Sequence, residues 1–218
     1  MIITIDGPAA AGKGTLASRL SEKYGLAYFD TGMVYRAVGL DLILNNTSPE
    51  NEIEAEKVAK NLTFAKMINL SKHPDFRSDI GGQAASKVAA LPIVRQLLLK
   101  MQQDFALSPQ FADGSEAKGV VYDGRDTGTV VCPNADIKLF VTASPEVRAL
   151  RRHKEYLQKG VNSVYENVLA QTKERDLRDS SRSSAPLKPA DDAIILDTSN
   201  LDIDQVFNEV CKIVDDKI

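Results

Sequence analysis

The first fifteen residues, MIITIDGPAAAGKGT, constrain this chain more than any other stretch. A short apolar run (residues 2–5) meets Gly7-Pro8, a pair that ends a strand, and Gly12, Lys13, Gly14 and Thr15 then lead into a helix-like pattern. Strand, Gly-x4-Gly-Lys and helix, in that order, describe a P-loop. In such a loop backbone N–H groups and a helix N-terminus surround a phosphate, and the Lys adds a full positive charge. A glycine turn without a ligand would leave Lys13 at the positive end of a helix dipole, where a cation is disfavoured. Ala9, Ala10 and Ala11 are good helix formers and are the local argument against a loop. The usual pattern places Ser or Thr directly after the Lys, but here Gly14 intervenes.

Around this loop, 218 residues are enough for one well-buried core with a small insertion. The net charge of −3 argues against a general binder of nucleic acid or membrane surfaces, so any anion site must come from local clusters of Arg and Lys. Cys132 and Cys211 have neither metal-ligand nor disulfide spacing, which fits a reducing cytosol, and are expected to be small buried apolar residues. No signal peptide or membrane span is expected, which points to a cytoplasmic protein. His73 and His153 are isolated from other chemistry-bearing residues and are assigned no role.

Further strands are predicted over 26–29, 119–122, 137–141 and 193–196, and helices over 16–24, 31–44, 144–157 and 163–179. Ser48-Pro49 with nearby acids predicts another helix start, and Asp202 with Gln205 a capping box for a C-terminal helix. Residues 88–107 read as helical with a break at Pro92, and 62–82 as an irregular segment. Five short strands alternating with helices imply an α/β fold, a parallel sheet flanked by helices on both faces.

Three other clusters fall where such a sheet gathers ligands, at the carboxyl ends of its strands. In Asp30-Thr31-Gly32-Met33-Val34-Tyr35-Arg36, Thr31 is expected to cap a helix and present Tyr35 and Arg36 one turn in. Taken alone, that segment is better explained as a capped helix with a packed Tyr and an exposed Arg. Asp123 ends a buried strand in the manner of a Walker B carboxylate, facing Mg2+ through water, and Gly124, Arg125 and Asp126 follow it. In ERDLRDSSR, residues 174–182, helical spacing puts Arg175, Arg178, Asp179 and Arg182 on one side, a candidate phosphate clamp. The interspersed acids fit a solvated charged helix as well; the P-loop favours an arginine-bearing lid.

Together these segments resemble the bacterial cytidylate kinases, P-loop nucleoside monophosphate kinases, over nearly the whole length. The likeness is carried by IDGPAAAGKGT, FDTGMVYR, AASKVAALPIVR, DGRDTGTVV with Pro133 and Asp136, KERDLRDSSRSSAPL and Ala190-Asp191. Gly-Lys-Gly-Thr is the P-loop variant such kinases carry. The resemblance implies transfer of the γ-phosphoryl group of ATP to CMP or dCMP, with Mg2+. Residues Gly7, Pro8, Ala9, Ala10, Ala11, Gly12, Lys13, Gly14 and Thr15 would bind ATP. Ser86, Arg95 and Asp126 would contact cytosine, and Thr31, Tyr35 and Asp179 would lie near the nucleoside. Arg36, Arg125, Arg175 and Arg182 would bind the acceptor phosphate, and Lys13, Arg125, Arg175 and Arg182 would carry the chemistry. Mg2+ would be held mainly by phosphates and water, with Asp123 behind them. One domain is implied, with a core of 1–34, 108–150 and 185–218, a monophosphate-binding segment over about 35–107 and a lid over about 151–184. Thr31 stands where many members have Ser. Residues 62–82 are short where many members carry a larger insert with a small sheet, so the nucleoside side is expected to be reduced. The expected partners are ATP and CMP or dCMP alone, with no nucleic acid or membrane, and the protein is expected to be a monomer. Kinases for UMP or AMP, and a slowly hydrolysing P-loop switch, are the alternatives.

Overall fold

Strands β1 (Ile2–Asp6), β2 (Ala27–Asp30), β3 (Val120–Gly124), β4 (Ile137–Thr142) and β5 (Ile194–Asp197) run parallel in the order β2-β3-β1-β4-β5. The computed structural model describes residues 1–217. Both faces of the sheet are covered, which is why its inner strands read as continuous apolar runs. On one face Ile3, Ile5, Val121 and Leu139 meet Leu16 and Leu20 of α1 (Lys13–Tyr24) and Val206, Val210 and Val214 of α9 (Ile203–Asp215). On the other, Phe29, Val120 and Tyr122 pack with Val38 and Leu40 of α2 (Gly32–Leu44), Val88 of α5 (Asp79–Val88) and Leu98 of α6 (Pro92–Leu107). The Phe29 ring lies 4.7 Å from Phe105 and 5.4 Å from Tyr122, centroid to centroid. Helices α3 (Glu52–Lys60) and α4 (Phe64–Leu70) enlarge this second layer, while α7 (Pro145–Gln158) and α8 (Tyr165–Ser180) form a hairpin beside the sheet. Among the described residues no helix is long and apolar enough to cross a membrane.

Three local expectations are corrected. The helix after Ser48-Pro49 starts later, at Glu52, because the Asn51 side chain accepts from the N–H of Glu54 and makes the better cap. Residues 62–82 are ordered rather than irregular: Thr63 caps α4, a 3-10 turn spans Pro74–Arg77, and Ser78 caps α5. The break at Pro92 is present, but the helix before it begins at Asp79. The Asp202–Gln205 capping box forms as expected, and Cys132 and Cys211 are both buried.

Asp6, at the end of β1, joins the central strand to the short π-helical turn Thr127–Val131 that follows β3. Its carboxylate accepts from the N–H and hydroxyl of Thr127, each at 2.8 Å, and from the N–H of Gly128 at 2.7 Å. Burial pushes its pKa up to about 6 although all three donors pull the other way. Asp6→Ala leaves two buried N–H groups without an acceptor, so it should cost about 2–3 kcal/mol. Thermal denaturation should show a midpoint lowered by roughly 5–10 °C; an unchanged midpoint would refute this anchoring role.

Candidate active site

The carboxyl ends of β1, β2 and β3 open into one cavity of about 590 Å3. Behind the loop that borders it, Gly7 has φ 146°, and a Cβ there would stand 1.9 Å from the carbonyl oxygen of Val141, so only glycine fits. Ala10 has φ 59°, which makes the alanine segment a turn rather than an early start of α1. Lys13 begins α1 and folds back, its Nζ donating to the carbonyl of Pro8 at 2.9 Å and lying 3.7 Å from Asp123 Oδ1. Burial and then the Arg125 charge bring its pKa down to about 8, against the pull of Asp123. Asp123 itself is pushed up by burial and held back by Lys13.

Gly14 explains its own place in the loop. A Cβ there would lie 3.2 Å from Asp123 Oδ2 and 3.5 Å from the Tyr28 hydroxyl. The absent side chain therefore leaves room against the Asp123 carboxylate.

Opposite the loop the cavity wall is made of guanidinium groups. Arg125, just after β3, donates from Nε to Asp179 Oδ2 at 3.1 Å. Asp179, on α8, also accepts from the Ser86 hydroxyl of α5 at 3.2 Å, and its backbone carbonyl accepts from Arg182 Nε at 3.1 Å. Burial alone would raise the pKa of Asp179, but Arg125, Arg175 and Arg182 together lower it. Arg175 is brought down to about 9 by burial and the neighbouring Arg125. Arg36 is lowered by burial and by Arg77, Arg125 and Arg152, even with Asp30 nearby. Nε of Arg175 and Nη2 of Arg182 are buried with no hydrogen-bond partner. At Gly82 three of these groups converge: a Cβ would sit 3.4 Å from Arg175 Nη1, 3.6 Å from Arg36 Nη1 and 3.8 Å from Arg152 Nη2. Nine basic and six acidic side chains line the cavity, a local excess of positive charge in a chain whose net charge is −3.

One end of the wall is different. Arg95 Nη2 is paired with the Asp126 carboxylate, both buried, and the Arg95 guanidinium lies 5.3 Å over the Tyr35 ring. Ser86 and Thr31 also line the cavity. Thr31 does not cap α2 as expected; its hydroxyl donates to the Asp123 carbonyl at 2.9 Å, and the Asp30 carboxylate accepts from the N–H of Gly32 in its place.

Of the site residues expected from sequence, Gly7, Pro8 and Arg178 are absent from the cavity wall, the first two shaping the loop from behind. The one-sided arginine face on α8 is only half present. Arg175 reaches the cavity from the helix, but Arg178 turns to Gln83 and Glu174. Arg182 lies beyond the helix, which ends at Ser180, and reaches the wall from the following loop. Sequence reasoning missed Tyr28, Arg77, Arg151, Arg152 and Thr198, all on the wall. It also missed Arg148, which is buried and forms a two-pronged pair with Asp176 of α8 at 2.9 and 2.6 Å. Arg148 also donates to the carbonyls of Ala9 and Ala143, tying the P-loop to both helices of the α7–α8 pair. The Arg151-Arg152 pair midway along a capped helix was the available signal.

A phosphate-cradling loop facing a guanidinium cluster across one cavity defines a P-loop phosphotransferase. Residues 3–216 match a sequence model of the cytidylate kinase family. The chain is 51% identical to the cytidylate kinase of Paramagnetospirillum magneticum over 216 residues, covering 99% of this chain and 98% of that protein. It is 50% identical to the cytidylate kinase of Xanthobacter autotrophicus over 216 residues, covering 99% and 97%. A crystal structure of an uncharacterized protein from Eubacterium ventriosum is similar in fold, with a TM-score of 0.52, 16% identity, and coverage of 99% and 98%. The chain belongs to the cytidylate kinase family. It is a nucleoside monophosphate kinase that phosphorylates CMP or dCMP with ATP.

The lowered pKa of Lys13 has a kinetic consequence. Below about pH 8 the ammonium is charged; above it the free protein loses that proton, which binding of a triphosphate at the loop, as its sequence leads one to expect, would have to restore. KM for ATP should therefore rise by up to about tenfold per pH unit above pH 8, and the rise should disappear in Lys13→Met. A flat KM from pH 7 to 9.5 would contradict the assignment.

Proposed function

We propose that the cavity positions ATP and CMP or dCMP end to end, with the γ-phosphoryl group moving directly between them. ATP lies along residues 7–15 with its phosphates against Lys13, and the acceptor phosphate lies among Arg36, Arg125, Arg175 and Arg182. The observation that carries this reading is the pair of unpartnered buried nitrogens on Arg175 and Arg182, which an anionic oxygen would satisfy. The acceptor oxygen is already anionic, so no strong general base is needed. Catalysis is positioning plus neutralisation of charge on the transferred group.

Mg2+ would be held mainly by the phosphates and water with Asp123 behind them, a role its carboxylate fits because Gly14 places no side chain against it. When bound, the metal supplies charge neutralisation between the β- and γ-phosphates. Asp123 would accept hydrogen bonds from water bound there, and Lys13 would hold the phosphate oxygens in place.

Asp126, Arg95 and Ser86 read the base. Cytosine offers an N4 amino donor that a carboxylate accepts, and N3 and O2 acceptors that a guanidinium satisfies. Uracil would turn its O4 lone pairs toward Asp126 and be repelled. Thr31, Tyr35 and Asp179 line the nucleoside. Residues of about 35–107 form the acceptor-binding segment and 151–184 a lid; closed over both nucleotides, with the acceptor filling its site, it leaves no room for water and so limits ATP hydrolysis. The all-helical segment between β2 and Gln110 supports a reduced nucleoside side. We read the protein as a monomeric cytoplasmic enzyme without a nucleic-acid partner, on the support of its net charge of −3 and its two buried free cysteines.

Initial rates of ADP formation from ATP and Mg2+ with CMP, dCMP, UMP or AMP test this reading. CMP or dCMP should give the highest kcat/KM, and equal rates with UMP or AMP would contradict the base assignment. Asp126→Ala should reduce the preference for CMP over UMP by about tenfold to a hundredfold. Arg182→Ala should lower kcat by about a hundredfold or more while leaving base preference intact. Unchanged selectivity in Asp126→Ala would sink the cytosine assignment.

A further inference from the structure

Beyond the phosphate and base contacts, one group of side chains ties the Arg152 side of the cavity wall to residues behind it. Arg152, on α7, donates from Nη2 to Asp79 Oδ1 at 3.1 Å and from Nε to the Tyr156 hydroxyl at 2.7 Å. The Tyr156 hydroxyl donates in turn to the same Asp79 oxygen at 3.3 Å, which closes a three-membered ring of hydrogen bonds. The Arg152 guanidinium also lies 5.3 Å over the Tyr156 ring. Asp79 is the first residue of α5, where a carboxylate is favoured by the helix dipole.

The position of this ring gives it more than local meaning. Helix α5 carries Asp79 at its start, Gln83 one turn on and Ser86 near its end. Asp79 is held by α7, Gln83 accepts from Arg178 of α8, and Ser86 donates to Asp179 of α8. One edge of α5 is thus fastened to the α7–α8 pair along its length. The same helix contributes Ser86 to the base end of the cavity. Arg152 is itself on the cavity wall, its Nη2 close to the point where Arg36 and Arg175 converge. Asp79 therefore decides whether this guanidinium stays with α5 or joins a cluster that already has an excess of positive charge.

We propose that Asp79, with Tyr156, is a positioning residue that holds Arg152 on α5 and so couples lid closure to the state of the acceptor side. The inference rests on the kinase reading of the cavity. With the ring intact, the α7–α8 pair and α5 move as one unit, and the donor phosphates are enclosed when α5 is in place around an acceptor. With the ring broken, the lid closes over ATP whether or not an acceptor is present. Water then replaces the acceptor as nucleophile at the γ-phosphorus: its oxygen bonds to phosphorus, the bond to the β-γ bridging oxygen breaks, and ADP, inorganic phosphate and a proton are released.

The test compares ADP release from ATP and Mg2+ with saturating CMP and with no CMP, for the full chain and three variants. Asp79→Asn should lower the ratio of these two rates by about tenfold, the fold-change expected on losing one charge-assisted hydrogen bond. Tyr156→Phe, which removes only the hydroxyl, should shift the ratio the same way by about threefold. Asp79→Glu, which keeps the carboxylate, should restore at least half of the wild-type ratio. A merely structural role would lower both rates together and leave the ratio unchanged. An unchanged ratio in both Asp79→Asn and Tyr156→Phe would overturn the inference, and so would failure of Asp79→Glu to rescue. Should Asp79→Asn fail to fold, the Tyr156→Phe ratio decides alone. Lack of CMP stimulation in the wild type would overturn the kinase reading itself, and the coupling with it.

Discussion

Buried positive charge without enough negative charge beside it is the constraint from which the site is built. Arg175 and Arg182 are almost wholly enclosed, and each has a nitrogen without a partner. Guanidinium groups in that state repel one another and forfeit hydration, at a cost that an anion with several oxygens offsets. Asp179 is the internal compromise. One carboxylate lies against Arg125 and Arg175 and accepts from Ser86, and its backbone receives Arg182. It steadies the cluster without neutralising it, so the ligand remains necessary.

The fold supplies this arrangement by sending residues from distant elements to one edge of the sheet. The P-loop follows β1, Asp123 stands near the end of β3 with Arg125 just after it, and the central position of both strands brings donor and acceptor halves within one cavity. Asp6 holds the turn after β3 in register with β1, and Arg148 links the P-loop carbonyl of Ala9 to the α7–α8 pair. Both are buried charged groups with all-protein partners, in contrast to the arginines they help to place. Charge that is already satisfied forms the scaffold, and charge left unsatisfied forms the site.

Much of this was legible in the chain because its signals are local. Strands buried on both faces betray themselves as short apolar runs, and the capping box at Asp202 needs only residues three apart. The P-loop and Asp123 are read from one continuous segment each. The segment 62–82 was misjudged because its helices are short and depend on caps at Thr63 and Ser78 that look like ordinary loop residues. Ser48 resembled a cap, but Asn51 three residues later competes better for the free N–H groups. Extending α8 to Arg182 on helical periodicity failed because the helix ends at Ser180, although the side chain still reaches the same wall. The contacts of Arg148 and Arg152 join residues 28 and 73 positions apart, and no spacing rule foreshadows them.

If unsatisfied guanidinium groups define the site, the phosphate of the acceptor should matter more than its base for stability. Differential scanning calorimetry with CMP and with cytidine, at equal concentration in low-salt buffer, separates the two contributions. CMP near a hundredfold above its Kd should add about 2.7 kcal/mol to the folded state, raising the midpoint by roughly 5–10 °C, while cytidine leaves it nearly unchanged. A rise with cytidine equal to that with CMP, or no rise with CMP, would contradict the account.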